Sequence, residues 1–534
     1  MSHNSAAFVR QAAILAATAF VVRLMGTLYR IPLTNLIGDE GNAYYVLAIQ
    51  VFSNTIILQH VAVKTAVVKL VSERLAKGER GNAHFLFRTA MGFSVLAGLV
   101  FAALMFFFSP QIAAAFELPE TAAAIALVAP SVVFVSASAV FYGYFQGMGT
   151  AFPTAASQVA DQLFKAVFAV ALAFAFFDAA RMYVPAAAAV SASTIGAFAS
   201  FAVIFAIYMK RRRRMLAGAG PADERRLCQV KALLRAVVPI YMGIMVVSVG
   251  NLVDIRMLAD RLTSSGAFGA DEVRVLVGQF TGKFVLLTTL PASVAMAVAM
   301  AVLPEISASK TKLEPEGVRA KTDRALRLAL IVAWPSAVGL SVLADPILFL
   351  LFPNYPDGGI LLRAGAYSIV FMAMFFVTQS VLQGTGHVWL PAVSALAGIA
   401  VKIALNHVLI FDARINITGA VVSTTACFIV ASAMNVAFIK KHSGFVPNIR
   451  EAMLKPLAAS ALMGAAAFLA YAGLSALLPG QAAVAAAILV GVGAYAFALV
   501  ALKGVEESEL MALPLPARLK KAAAAAAFGR KPPQ

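Results

Sequence analysis

The chain has 534 residues, 61% of them hydrophobic and 13% charged, with a formal charge of +18 and a mean hydropathy of +0.85. A soluble protein is about half apolar and about a quarter charged, and it needs that charge to keep its surface wet; a string of soluble domains is therefore excluded, and lipid is the natural solvent. The positive balance does not point to nucleic acid either, because the Lys and Arg residues cluster in short stretches between apolar runs, where they set membrane topology.

A spanning helix takes about 20 mostly apolar residues. Fourteen such stretches are expected, at 8–28, 44–72, 86–108, 122–145, 154–177, 184–209, 232–258, 274–303, 325–344, 361–383, 388–410, 417–439, 454–477 and 482–502. The segment Met1 to Phe8 is short and polar, and no small-residue cleavage site comes after it, so the first stretch is read as a retained helix rather than a signal peptide. Alternate connections are basic: Arg74, Lys77 and Arg80; Lys210 to Arg214; Lys310 to Arg324; Lys440 to Lys455. The intervening ones offer carboxylates instead, such as Asp39, Glu40, Glu117, Glu120, Asp345 and Asp357. With fourteen spans this alternation places both termini in the cytoplasm.

The linker 210–231, with its run of arginines and its Gly218-Ala219-Gly220-Pro221 stretch, is expected to be a cytoplasmic connector. The tail after 502 turns from acidic (Glu506, Glu507, Glu509) to Lys- and Ala-rich, a pattern that fits a surface helix or a frayed end. Cys228 and Cys427 form no metal or disulfide pattern. The chain shows no GxxxxGK[ST], HExxH or GxSxG pattern, so no catalytic residue, metal site, cofactor or ATP site is expected, and the protein is read as a non-enzyme. Its histidines are scattered and are read as packed or hydrogen-bonded residues.

An internal repeat crosses the linker. Gln146-Gly147-Met148-Gly149 is followed after nineteen residues by Lys165, and Gln383-Gly384-Thr385-Gly386 after nineteen by Lys402, a shift of 237. Val71-Ser72-Glu73 and Pro304-Glu305-Ile306-Ser307 repeat at a shift of 235 between their serines. Duplicated halves with a site between them are a transporter pattern. The expected organisation is an all-α integral membrane protein: a six-helix lobe 1–209, the linker 210–231, a second six-helix lobe 232–440, two further helices in 441–502, and a cytoplasmic tail 503–534.

Ionisable residues inside spans cost about 2.5–3.5 kcal/mol each on insertion scales, so their positions carry information. Arg23, Lys64, Arg256 and Lys283 fall in the first two helices of each copy and are expected to line one cavity, with Arg30 just past the end of the first helix. Asp161 and Lys165 are four apart on one helix face and are expected either to neutralise each other or to serve ion coupling; Asp254 is read in the same way. Cations outnumber carboxylates. A cationic cavity selects an anionic cargo, with Arg offering a planar fork for phosphate oxygens and Lys a point charge. Pro239, Pro291 and Pro335 interrupt spans and are read as kinks or hinges.

The segments Val22-Arg23-Leu24-Met25-Gly26, Tyr29-Arg30-Ile31-Pro32 and Ile37-Gly38, together with Val71-Ser72-Glu73, Leu303-Pro304-Glu305-Ile306-Ser307 and the two QGxG segments, resemble the stage V sporulation protein B group. That group belongs to the polysaccharide-biosynthesis branch of the multidrug/oligosaccharidyl-lipid/polysaccharide exporter superfamily and is similar to the MurJ lipid II flippases. The resemblance implies a two-lobe, V-shaped bundle of fourteen helices that moves undecaprenyl-pyrophosphate-linked sugars outward by alternating access. Arg23 and Arg30 match arginines of that pattern, Lys64 lies near a basic position of it, and a pyrophosphate would be the bound group. The implied partners are a lipid-linked glycan and membrane lipids, with the protein acting as a monomer. Two alternatives stay open: a multidrug/cation antiporter of the same superfamily, and a membrane scaffold for wall synthesis that transports nothing.

Overall fold

The computed structural model of the protein describes residues 14, 17–216, 226–311, 314–412 and 414–502; the N-terminal stretch, the 217–225 part of the linker and the 503–534 tail lie outside them. Every regular element among the described residues is helical. Hydrocarbon offers no water to an exposed peptide group, so a spanning segment must satisfy its backbone internally, and a helix does so within one segment.

Among the described residues ten helices are long and apolar enough to cross a membrane, or twelve if two bent pairs each count as one span. The bent pairs are Pro119–Val128 with Ser131–Gly147, at 43°, and Gly359–Gly365 with Ser368–Gly384, at 47°. The first expected span appears as the shorter apolar helix Ala17–Leu28. The stretch 232–258 lies within the helix Arg226–Ser264.

Two spans are much longer than the apolar pattern suggests. The helical run Arg30–Ala76 starts well before residue 44, and the run Ala270–Lys310 ends beyond 303. Asp39 and Glu40, expected in a connection, therefore lie inside a helix. Both runs contain a π-helical segment, Leu58–Val63 and Phe280–Phe284. A π segment holds extra chain within a helical turn and rotates the turns beyond it. The first run also breaks at Gly38, whose φ of 69° and ψ of −176° belong to a backbone region open essentially only to glycine. The side chain of buried Asn42 donates to the Gly38 carbonyl at 3.0 Å, beside the break.

The chain divides into two compact units, Met1–Lys283 with Asn406–Ile417, and Phe284–Leu405 with Thr418–Gln534. The repeat seen in the sequence becomes one contact made once in each unit. In the first, Ser72 Oγ donates to the Gly147 carbonyl at 3.1 Å; in the second, Ser307 Oγ donates to the Gly384 carbonyl at 3.2 Å. A Cβ on Gly147 would come within 2.9 Å of the Val71 side chain, and one on Gly384 within 2.9 Å of Ile306. The two short sequence matches are thus the two sides of one helix crossing, and glycine is required because the backbones close on each other there. Both crossings lead into the same turn, with Gly149 and Gly386 at positive φ. Thr150 N–H bonds to Phe145 O at 2.9 Å, and His387 N–H to Leu382 O at 2.8 Å.

Packing inside each unit uses small residues and rings, as expected where lipid gives helices no hydrophobic reason to associate. The first unit gathers Phe87, Phe141, Tyr144 and Tyr208, with the Phe87 and Tyr144 rings 4.5 Å apart. The outward faces stay apolar, as Phe107, Phe174 and Phe497 illustrate, each more than 70% exposed.

In the second unit Pro335 sits inside the helix Pro315–Val342. It has no N–H to give the carbonyl four residues back, which is that of Ile331. The Tyr495 hydroxyl, from the helix Gly480–Ala501, donates to Ile331 O at 2.7 Å. The proline therefore opens an acceptor that docks the last helix. Replacing Tyr495 with Phe should cost about 1 kcal/mol, the net worth of one such bond. In a Pro335→Ala background, where the backbone can close its own bond, the Tyr495→Phe penalty should largely vanish. A double-mutant cycle on thermal unfolding in detergent tests this; equal penalties in both backgrounds would reject the pairing.

Candidate functional site

The first unit holds a partly open cavity of about 220 Å3. Four helical segments line it: Arg30–Ile57 with the π segment after it, Ser131–Gly147, Phe152–Ala175 and Tyr183–Leu216. Tyr142, Ser157 and Ser200 form a closed polar cluster beside it. The Tyr142 hydroxyl lies 2.7 Å from Ser200 Oγ and 3.1 Å from Ser157 Oγ, and Ser157 donates to the Ser200 carbonyl at 2.7 Å. Other polar atoms facing this space are buried without a hydrogen-bond partner: His60 Nδ1, Ser138 Oγ and Ser193 Oγ. Buried polar groups are normally satisfied, so this cavity is chemically suited to water or a polar guest. The π segment sets its wall, carrying His60 edge-on against Tyr142 at 6.1 Å and leading straight into Lys64.

Asp161 and Lys165 both line the cavity. Their spacing put them on one helix face, yet no ion pair joins them among the described residues, and the Asp161 carboxylate remains open to the cavity. Arg30 lies over the Tyr45 ring, its guanidinium carbon 5.6 Å from the ring centroid, a cation–π contact. Tyr45 in turn meets Tyr29 with hydroxyls 2.7 Å apart. The Arg30 Nε and Nη2 atoms are buried without a hydrogen-bond partner. A guanidinium with unused donors in a desolvated place is suited to receive an oxyanion.

The remaining expected residues are distributed differently. Arg23 is exposed on Ala17–Leu28, and Lys64 is half-buried. Arg256 is exposed and donates to the Ala115 carbonyl. Lys283 is 1% exposed, and its Nζ lies 2.8 Å from the Asp39 carboxylate oxygens. Asp254 falls outside the residues whose side chains are described. The grouping of Arg23, Lys64, Arg256 and Lys283 in one lining therefore gives way, for Lys283, to a sealed ion pair.

Residue patterns missed Asp39 as that partner, because Ile37-Gly38-Asp39-Glu40 reads as a polar connection. The available signal was Gly38 itself, a residue able to break a helix and re-aim the next side chain. Gly278 completes the arrangement: a Cβ there would overlap the Asp39 carbonyl, so only glycine lets the helix Ala270–Gln279 approach. A neighbouring polar set continues the contact, with Arg274 reaching Glu120 at 2.9 Å and Asp271 at 2.6 Å.

The model for the family described as polysaccharide biosynthesis protein matches residues 8–310, more than half of the chain. The lipid II flippase MurJ of Bacillus subtilis (strain 168) is 23% identical over 86% of this chain and 88% of its own. Stage V sporulation protein B of the same organism is 24% identical over 83% and 86%. A solved structure of lipid II flippase MurJ in an inward closed conformation matches with a TM-score of 0.69 at 18% identity, covering 91% of this chain and 98% of that one. That likeness shows a shared fold. The resemblance read from the arginine and QGxG segments is borne out at the level of family.

The buried Asp39–Lys283 pair supplies the test of this geometry. Removing one partner of such a pair leaves an uncompensated charge and costs about 3–5 kcal/mol. Asp39→Asn and Lys283→Met should each lower the unfolding temperature in detergent strongly, whereas the double variant should recover most of the loss. A double variant as damaged as the sum of the singles would show that the two residues do not act as a pair.

Proposed function

The chain belongs to the polysaccharide biosynthesis protein family, and we propose that it flips undecaprenyl-pyrophosphate-linked sugars, lipid II or a related lipid-linked oligosaccharide, outward across the cytoplasmic membrane by alternating access. The observation that carries this reading is Arg30. Its guanidinium is buried in part, stacked on Tyr45, and holds two nitrogens without a partner, which suits the oxygens of a pyrophosphate. Arg23 and Lys64, cations of the same unit with no ion pair among the described residues, add positive charge for the same cargo. Arg256 contributes once its carbonyl contact is released.

Lys283 takes a conditional part. Paired to Asp39 it is neutralised, and opening that pair would free an ammonium for the cargo while loosening the contact between Arg30–Ile57 and Ala270–Gln279. Asp161 and Lys165, with Asp254, form the coupling set, because a carboxylate open to a polar cavity can take up a proton or a cation as the conformation changes. The two six-helix lobes, 1–209 and 232–440, are the moving bodies, joined by the cytoplasmic linker 210–231; the helices of 441–502 and the tail 503–534 stand outside the repeat. The basic connections place both termini in the cytoplasm. The protein works as a monomer in cell-wall or spore-cortex synthesis and is not an enzyme.

A multidrug/cation antiporter is the second reading, favoured by the open Asp161 carboxylate. Complementation separates the two. Expressed in bacteria depleted of their lipid II flippase, the wild-type chain should restore growth, while Arg30→Ala and Arg23→Ala at equal membrane levels should restore about tenfold less activity or none, the loss of one charged contact being worth about 1.5–3 kcal/mol. Failure of the wild type despite normal expression would remove lipid II as cargo. Rescue by both arginine variants would keep the flippase and remove Arg30 and Arg23 as cargo contacts; the antiporter predicts no rescue by the wild type, with drug efflux lost on Asp161→Asn.

A further inference from the structure

A second cluster of titratable groups lies far along the chain from the cationic site. Four candidate spans have ends in the second unit that meet here: Ala270–Lys310 at Lys310, Pro315–Val342 at its start, the bent pair of Gly359–Gly365 and Ser368–Gly384 just before Thr385, and Thr418–Ser443 at Ser443. Between these ends is a cavity of about 330 Å3, lined by the polar residues Lys310, Thr385 and His442 and the apolar Pro315, Val318 and Phe445. We propose that this cavity binds the phosphate headgroup of an anionic phospholipid, held by Lys310 and the His387–His442 pair.

Position comes first. A point where spans end lies at the depth of the lipid headgroups. The two residues after His387 are Val388 and Trp389, 61% and 67% exposed; an exposed tryptophan at such a level is an interfacial anchor. A guest here has its polar end at the cations and its apolar part along Pro315, Val318 and Phe445, which matches a phospholipid and not a soluble ion.

Charge comes second. Lys310 Nζ donates to the Thr385 carbonyl, which fixes the ammonium over the turn. The His387 and His442 rings lie 4.6 Å apart. His442 Nδ1 is 3.0 Å from the Phe438 carbonyl, so the tautomer that donates this bond leaves Nε2 for a guest. His387 Nδ1 is 3.4 Å from Thr385 Oγ1. Behind them Lys321 Nζ donates to Ser309 Oγ at 2.7 Å, and exposed Lys440 and Lys441 end the helix that carries His442. The facing carboxylates are Glu314, in the lining, and Glu305 and Glu316, exposed on the two adjoining helices. Cations and imidazoles outnumber them.

The internal repeat shows that this equipment is not needed for the fold. The first unit makes the same turn with the same backbone bond, but Thr150 stands where the second unit has His387. The turn closes without the imidazole.

His387, beside a second imidazole and close to Lys310, also makes the site responsive to pH. Burial, then His442 and Lys310, hold His387 below its ordinary range, so it is neutral at neutral pH. A bound phosphate favours the protonated ring, so binding strengthens as pH falls through the imidazole range.

The test uses the full chain purified in detergent, with lipid retention read by native mass spectrometry for phosphatidylglycerol and phosphatidylcholine at about pH 5 and about pH 8, the limits of imidazole titration. Phosphatidylglycerol should be retained in preference to phosphatidylcholine, more strongly at the lower pH. Lys310→Gln should reduce retention about fivefold, the weight of one cation at an anionic surface, while Lys310→Arg keeps it. His387→Gln with His442→Gln should flatten the pH dependence. Equal retention of the two lipids, or no response to Lys310→Gln in a variant with unchanged unfolding temperature, would overturn the proposal, as would displacement of the lipid by inorganic phosphate. The outcome does not depend on the transported cargo, so it stands or falls separately from the flippase assignment.

Discussion

A peptide carbonyl in hydrocarbon has no water to turn to, and most of the distinctive features of this structure come from how the chain meets that constraint where its helices are interrupted. Gly38 breaks a span, and the Asn42 side-chain amide, one turn on, donates to the Gly38 carbonyl. Pro335 withholds an N–H, and Tyr495 supplies an O–H to the carbonyl left open. In each case the interruption does a second task. The break at Gly38 turns Asp39 toward Lys283, and the repair at Ile331 docks the last helix against Pro315–Val342. A defect that another element must satisfy ties elements together, because neither can move without exposing an unsatisfied group.

The same logic governs the charges. A charge inside a membrane persists only with a partner, a wet space or a function. Lys283 has the first, a carboxylate at 2.8 Å in a nearly sealed place. Asp161 has the second, a cavity with several unsatisfied polar atoms on its wall. Arg30 has an aromatic face and spare donors. In the proposed reading these three answers correspond to a latch, a coupling group and a cargo contact. The buried pair adds little net stability, since desolvating two ions offsets much of their attraction.

The repeat ties sequence to mechanism. Two short matches at shifts of 235 and 237 looked like independent traces of duplication, yet Ser72 and Gly147 touch, as do Ser307 and Gly384. They persist together because they are one contact: a serine that needs an acceptor and a glycine that lets it come close. Where the two turns differ, as at Thr150 and His387, the same backbone bond closes both, so the imidazole is not a requirement of the fold.

The membrane class, the all-helical architecture and the family could all be read from the chain. Each rests on a local or periodic property: apolar length, charge clustering and recurring small motifs. Several site residues were legible for the same reason, since an Arg or Lys in an apolar stretch stands out wherever it falls. Pairing was the part the chain could not reveal. Asp39 reads as part of a loop until the helix is seen to begin at Arg30, and Asp161–Lys165 reads as a self-contained pair until the helix is seen to turn both toward a cavity. The helical runs Arg30–Ala76 and Ala270–Lys310 extend past the apolar stretches they contain, because hydropathy registers where lipid begins, while a helix continues for as long as its backbone bonds close. Composition and spacing are properties of one segment and were determined by the sequence itself; which charge neutralises which, and which is left open, depends on contacts between segments distant in the chain, and only the tertiary structure decides that.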